Sequence, residues 1–170
     1  MKLNKLLNGF EYQCICGSMD KEIKDVVSDS RKANQDTAFI CIVGAVADGH
    51  NFIKNVLDQG CEVLIVEKDI SHSIDLGQSK NLTVIQTEDT RMALSYMSAA
   101  LFGYPAKELT TIAITGTKGK TTTSFMIQTI LENHHKKVGV IGTTGVYIGD
   151  QHIETHNTTP ESYDIQKYFR

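Results

Sequence analysis

The sequence predicts an α/β protein made of two units, and three observations support this fold class. Short aliphatic runs that suit buried strands alternate with a segment of helical periodicity between residues 37 and 86. Pro105 then separates this region from a new strand-like run, which leads through a glycine-containing loop into another helical segment. We therefore predict an N-terminal α/β domain over residues 1–105 and the incomplete beginning of a second domain over residues 106–170.

The composition is that of a folded protein and argues against several functional classes. Of the 170 residues, 41% are hydrophobic and 22% are charged, which permits a buried core. A formal net charge of −3 gives no indication of nucleic-acid binding or of a polybasic membrane surface. No apolar run suits a signal peptide or a membrane span, so we expect a cytoplasmic protein. A monomer is a separate expectation. The four cysteines lack the spacing of a zinc site and are expected to be reduced thiols.

Three apolar runs in the first unit predict buried strands. These are TAFICIV (37–43), CEVLIVE (61–67) and LTVIQ (82–86), which are rich in β-branched and aliphatic residues. The segment between the first two, residues 50–60, has apolar residues at helical spacing and ends at a glycine that suits a helix C-terminus. Strand, helix and strand in this order predict a parallel sheet.

Residues 89–105 form the strongest helix prediction in the chain. Asp89 or Thr90 can cap its first turn, and Gly103 followed by Pro105 can end it. One face of this helix is predicted to be core rather than binding surface, and it consists of Met92, Ala93, Tyr96, Met97, Ala100 and Leu101.

The second unit is predicted to contain one βαβ motif. A strand over 109–115 leads through the loop into a helix over 121–137, and a second strand follows over 138–142. The remaining residues, 143–170, show little strand pattern until another helix starts at Pro160. Because one βαβ motif cannot cover the faces of a nucleotide-binding sheet, we expect this domain to be cut short.

The loop AITGTKGKTTTSF (113–125) predicts a phosphate site. Gly116 and Gly119 allow close backbone approach, Lys120 supplies a cation, and the Thr121 hydroxyl suits magnesium. A strict Walker A motif would need glycine at position 114, where this chain has isoleucine. A chance Gly-Lys-Thr tripeptide in a turn is the alternative, but the strand–loop–helix context favours phosphate binding. Lys118 does not occupy the position of the extra lysine in partitioning ATPases.

Three motifs in order resemble the Mur ligase family. The shortened loop pattern T-G-T-x-G-K-T-T (115–122) is the first, and D-S-R (29–31) followed by G-x-x-x-D-G-H-x-F (44–52) is similar to its uridine-nucleotide-binding domain. The segment 141–162, with G-T-x-G and then T-T-P-E, resembles the members that add the third peptide residue. Folylpolyglutamate synthetases share the loop but lack such an N-terminal domain. Gln35 and Val146 depart from the family pattern.

The resemblance implies an ATP- and Mg²⁺-dependent ligase of peptidoglycan precursor synthesis. It would join a diamino acid, meso-diaminopimelate or L-lysine, to UDP-N-acetylmuramoyl-L-alanyl-D-glutamate through an acyl phosphate. Residues that complete the active site would lie beyond position 170, so the chain itself is expected to be inactive. The alternative is a nucleotide-binding protein without ligase activity. The implied ATP contacts are Gly116, Thr117, Lys118, Gly119, Lys120, Thr121 and Thr122. Of these, Lys120 would be the catalytic residue and Thr121 would also bind magnesium. The implied substrate contacts are Ser28, Ser30, Ala45, Val46, Ala47, Asn157, Thr158 and Thr159.

Overall fold

The structure is a computed structural model that describes residues 1–45, 47–72, 74, 81–155 and 159–170. Its helices are α1 (Leu3–Leu6), α2 (Ile53–Asp58), α3 (Thr90–Leu101), α4 (Lys120–Asn133) and α5 (Ser162–Phe169). Its strands are β1 (Gln13–Cys16), β2 (Asp25–Val27), β3 (Thr37–Ile40), β4 (Val63–Val66), β5 (Thr83–Gln86), β6 (Gly139–Gly142), β7 (Gly145–Ile148) and β8 (Gln151–Ile153).

The first unit is a five-stranded sheet with the strand order β1-β5-β4-β3-β2. Strands β2 to β5 are parallel, and β1 is paired antiparallel to β5 at the edge. The α/β class and the three predicted strands are therefore confirmed, each strand being shorter than its apolar run. Since the parallel strands share one direction, the loops that follow β2, β3, β4 and β5 meet at one edge, which we call the carboxyl edge.

Helices cover both faces of this sheet. Because side chains alternate along each strand, strands β2 to β5 contribute buried residues to both faces. On β3, Ala38 and Ile40 belong to the core under α1 and α3, whereas Phe39 belongs to the core under α2. β4 repeats this alternation with Ile65 on the first face and Leu64 on the second. Two-sided burial explains why these strands read as continuous apolar runs instead of alternating ones.

Helix α3 has the predicted cap but a rotated buried face. The Asp89 carboxylate accepts a hydrogen bond from the Met92 backbone N–H at 2.9 Å, and the chain after Leu101 turns through Gly103 at φ 77°. Met92 is 51% exposed, and Tyr96 is also exposed, so the prediction of these two as core was wrong. The buried face of α3 is rotated relative to the predicted face, because the helix packs against both the sheet and α1. It consists of Thr90, Ala93, Leu94, Met97, Ser98 and Ala100.

The second unit corrects the predicted βαβ motif. Residues 109–115 form no strand, and Ile112 is 57% exposed. A strand requires a hydrogen-bonded neighbour, and within the described residues none lies beside this segment. Helix α4 and strand β6 are confirmed, but β6 pairs antiparallel with β7, and β7 pairs with β8. The expectation of little strand structure after residue 142 was therefore wrong as well.

The helix expected at Pro160 is confirmed as α5, which begins at Ser162 and packs against α3. Contacts thus cross the boundary expected at residue 105, and the division into two domains stays a prediction. Within the described part of the chain, no helix is both long enough and apolar enough to cross a membrane. The four cysteines are unpaired.

Candidate functional site

The glycine loop ends in an uncapped helix N-terminus. Gly116 has φ 147° and Gly119 has φ 79°, and side chains strongly disfavour both conformations. Gly119 occupies the N-cap position of α4, where it offers no side-chain acceptor to the amides of the first turn. Those amides and the positive end of the helix dipole therefore face outward, which is the arrangement that binds phosphate oxygens.

Lys120 is the loop residue that the fold places at this helix end. Its ammonium donates a hydrogen bond to the Gly116 carbonyl at 2.6 Å, so the side chain bridges the two ends of the loop. Thr121 is half-buried in the first turn of α4, whereas Thr117, Lys118 and Thr122 are exposed. The predicted loop residues are brought together around the Lys120 ammonium and one row of amides.

The predicted substrate residues lie on loops at the carboxyl edge of the sheet. Ser28 directly follows β2, and Ser30 begins the 3₁₀ turn Ser30–Lys32. Ala45 and Ala47 lie exposed on the loop that follows the neighbouring strand β3. Three of the remaining predicted residues, Val46, Asn157 and Thr158, lie outside the described residues, and Thr159 is exposed at a bend before Pro160.

Asp29 and Arg31 shape the turn between the two serines. The Arg31 guanidinium donates to both carboxylate oxygens, with Nε at 2.9 Å from Oδ1 and the terminal nitrogen at 2.7 Å from Oδ2. The Arg31 backbone N–H also donates to Oδ1 at 3.0 Å. These bonds from Arg31 lower the pKa of Asp29 to about 2. The D-S-R motif is thus a closed ion-paired turn that presents Ser28 and Ser30 beside it.

His50 joins the loop after β3 to the end of β4. Its Nδ1 lies 2.6 Å from an Asp48 carboxylate oxygen, and its Nε2 lies 3.1 Å from the Glu67 backbone N–H. Because Nε2 accepts from a backbone N–H, the ring proton belongs on Nδ1 and is donated to Asp48. Asp48 also accepts from the Lys68 ammonium. That ammonium, together with the hydrogen bonds from His50, holds the pKa of Asp48 well below its usual range.

Gly49 and Thr90 complete this carboxyl-edge network. A Cβ at Gly49 would lie 2.8 Å from the Cys41 Cα, so only glycine fits against that backbone. The Thr90 hydroxyl donates to Glu67 at 2.7 Å and lies 3.2 Å from the Cys41 carbonyl. The sequence identifies the D-G-H motif by its resemblance to the family, but it does not predict that this motif anchors a hydrogen-bond network. The partners in that network come from the ends of β3 and β4 and from the start of α3, which lie far apart in the sequence.

Comparisons with known proteins identify the family of the chain. A model of the Mur ligase family, catalytic domain, matches residues 22–101, and a model of the Mur ligase middle domain matches residues 114–170. The chain belongs to the Mur ligase family. Over its whole length it is 44% identical to the UDP-N-acetylmuramoyl-L-alanyl-D-glutamate--2,6-diaminopimelate ligase of Clostridium botulinum, of which it covers 34%. The chain therefore spans about a third of the curated relatives that it matches.

Solved structures of Mur ligases share the fold. The UDP-N-acetylmuramoylalanyl-D-glutamyl-2,6-diaminopimelate--D-alanyl-D-alanyl ligase of Acinetobacter baumannii is 33% identical, with a TM-score of 0.54 over 78% of this chain and 28% of that one. A structure of a UDP-N-acetylmuramoyl-L-alanyl-D-glutamate--2,6-diaminopimelate ligase gives a TM-score of 0.67 over 99% of this chain and 32% of that one. Its identity of 20% supports the fold alone.

Proposed function

We propose that this chain is part of a cytoplasmic ligase that uses ATP to join 2,6-diaminopimelate to UDP-N-acetylmuramoyl-L-alanyl-D-glutamate. The observation that carries the proposal is the uncapped N-terminus of α4 with the Lys120 ammonium beside it. The identity of 44% over the whole chain with a ligase of that printed name favours this substrate pair. It also favours diaminopimelate over lysine as the acceptor.

The glycine loop would bind the phosphates of ATP. The Lys120 ammonium could exchange the Gly116 carbonyl for the more strongly charged phosphate oxygens, because it lies beside the uncapped amides at the start of α4. The donor set also fits Mg²⁺, a hard cation that prefers oxygen ligands, since Thr121 offers a hydroxyl in the first turn of α4. Bound Mg²⁺ would neutralise phosphate charge, and Thr121 would orient it toward the loop.

The carboxyl edge of the first sheet would bind the uridine nucleotide. Ser28 and Ser30 supply short hydroxyl groups, and Ala45 and Ala47 are exposed residues with small side chains on the loop after β3. Ligands of parallel α/β sheets bind at this edge, outside the carboxyl ends of the strands. The muramyl-dipeptide end would then reach Asn157, Thr158 and Thr159.

Residues of this chain would act by binding and positioning. The γ-carboxylate of the D-glutamyl group would take the γ-phosphoryl group of ATP, and the amino group of the diamino acid would then displace phosphate from the acyl phosphate. Lys120 would stabilise negative charge on the transferred group, since a fixed cation is most effective where charge develops. Holding the reacting groups of the two substrates close together and correctly oriented can supply much of the rate acceleration.

A nucleotide-binding protein without ligase activity is the second candidate. Strands β7 and β8 favour it, because residues after 142 do close a small antiparallel sheet with β6. Tripeptide formation by the protein from the complete reading frame, measured with the nucleotide substrate, diaminopimelate and Mg·ATP, separates the two. Nucleotide binding without any amide formation would refute the ligase and leave the binding protein.

A further inference from the structure

We infer that Arg91 and Tyr163 are positioning residues that dock α5 on the N-terminal domain and thereby set where Thr159 lies relative to the carboxyl edge. The inference rests on the proposed function, since it concerns how the two ends of one nucleotide substrate are held together. It assigns a role to two residues that lie in none of the three sequence motifs.

The first contact joins α5 to the carboxyl edge itself. One Arg91 guanidinium nitrogen lies 3.1 Å from Oε1 and 3.3 Å from Oε2 of Glu161. Arg91 directly follows Thr90, whose hydroxyl binds the Glu67 carboxylate of the carboxyl-edge network. Glu161 immediately precedes α5, so this ion pair fixes the start of α5 beside the strand ends that carry the predicted uridine contacts.

The second contact is half-buried and lies further along the interface. The Tyr163 hydroxyl donates a hydrogen bond to Asp25 Oδ1 at 2.9 Å, and the Tyr163 ring meets the Phe102 ring edge to face with centroids 5.3 Å apart. Asp25 is the first residue of β2, the strand whose other end leads into Ser28. Tyr163 also packs against the core between the sheet and α3. α5 is thereby attached to the strand that presents Ser28.

Two further hydrogen bonds align the helices. The Ser95 and Ser162 hydroxyls lie 2.7 Å apart, and the Arg170 guanidinium donates to the Phe102 carbonyl at 3.2 Å. The contacts therefore run from the first turn of α3 to the residue after its end. A helix held at both ends has one orientation, whereas a single contact would let it pivot.

Thr159 inherits its position from this docked helix. It lies two residues before Glu161, and the intervening Pro160 is buried, with a φ angle fixed by its ring. Little backbone freedom is left between the ion pair and Thr159. A shift of α5 would therefore change the position of Thr159 relative to Ser28, Ser30 and the loop after β3, which would stay in place.

The test measures, in the complete ligase, how a substitution affects binding of each end of the nucleotide substrate. The KM for UDP-N-acetylmuramoyl-L-alanyl-D-glutamate reports both ends, and the inhibition constant of UDP as a competitor reports the uridine end alone. Arg91→Glu should raise the KM about fivefold to tenfold, because it replaces an exposed ion pair with repulsion. The UDP constant should stay within about twofold, since substitutions at separate sites act independently.

Charge exchange and a matched control complete the design. The double variant Arg91→Glu/Glu161→Arg should restore the KM, and Tyr163→Phe should raise it without changing the UDP constant. Lys167→Glu makes the same charge change at an exposed position of α5 that has no ion pair within the described residues, and should alter neither constant. An Arg91→Glu enzyme with an unchanged KM, or a double variant that stays impaired, would overturn the inference. A complete protein without tripeptide formation would instead overturn the proposed function, and the inference with it.

Discussion

Replacing His50 with phenylalanine should destabilise the first unit and loosen the loop that follows β3. The imidazole is buried, with 7% of its side chain exposed, so a ring of similar size keeps the packing. The substitution removes the bond to Asp48 at 2.6 Å and the bond from the Glu67 backbone N–H at 3.1 Å. The weaker bond from the Lys68 backbone N–H at 3.4 Å is also lost.

The expected loss follows from these contacts. Each ordinary hydrogen bond contributes about 1 kcal/mol net, and a buried donor left without a partner costs about 1–3 kcal/mol. Asp48 keeps the Lys68 ammonium and the His50 backbone N–H as partners, so only the Glu67 amide is left without one in the buried region. The free energy of unfolding should therefore fall by about 2–4 kcal/mol.

Urea denaturation of the 170-residue chain measures this loss, and calorimetry with UDP measures its effect on the loop. His72→Phe is the matched control, because the same substitution is made at an exposed position of the first unit. UDP affinity should fall only in the His50 variant, since the loop after β3 is anchored through that ring. A His50→Phe change below about 0.5 kcal/mol, the usual range of surface substitutions, would refute the proposed role of the network.

Three further predictions concern the loop, the docked helix and the second unit. In the complete ligase proposed above, Lys120→Ala should lower the turnover number at least about 100-fold, the size expected for one lost electrostatic contact. Lys136→Ala, which removes an exposed lysine beyond the end of α4 and outside the loop, should not. Equal effects in a ligation assay would contradict the assignment. Burial and the hydrogen bond to Asp25 raise the pKa of Tyr163 to about 12, above its unfolded value, so its contribution to stability should be complete below about pH 10 and lost as the pH rises through 12. Absorbance titration should show one late tyrosine that Tyr163→Phe removes, and no late step would contradict the docking. Hydrogen exchange should be slow over residues 37–66 and fast over 111–142, where apolar side chains stay exposed, and equal protection would contradict this reading.

The elements that the sequence predicts correctly are those whose burial is decided locally. β3 and β4 are buried on both faces, so continuous apolar runs identify them without knowledge of their partners. β1 escaped prediction because it lies at the sheet edge with most of its side chains exposed, and β2 has only three residues. β7 and β8 did carry a signal, since Gly149 and Asp150 form a two-residue hairpin turn between Ile148 and Gln151, with Gly149 at φ 55°.

The glycine loop and the carboxyl-edge network also differ in how far the sequence predicts them. The glycine loop is a local device, and its glycines, its lysine and the following helix lie within a few residues, so a pattern predicts it. The carboxyl-edge network depends on β3 lying beside β4, which brings His50 next to Glu67 across seventeen positions of the chain. No spacing rule predicts such a pair before the strand order is known.

The segment 109–115 shows how far local pattern can mislead when the partner is missing. Its apolar residues suit a strand, yet Ile112 stays exposed because no described strand offers it hydrogen bonds. Met126 and Ile130 on α4 are exposed as well, so apolar side chains lie uncovered on both sides of the glycine loop. The chain spans about a third of the length of its curated relatives. In a ligase of their length, as proposed above, further residues would be expected to cover these surfaces. The backbone of the loop would then be held by a formed strand before Gly116 and a buried helix after Lys120, which is the rigidity that oriented phosphate binding requires.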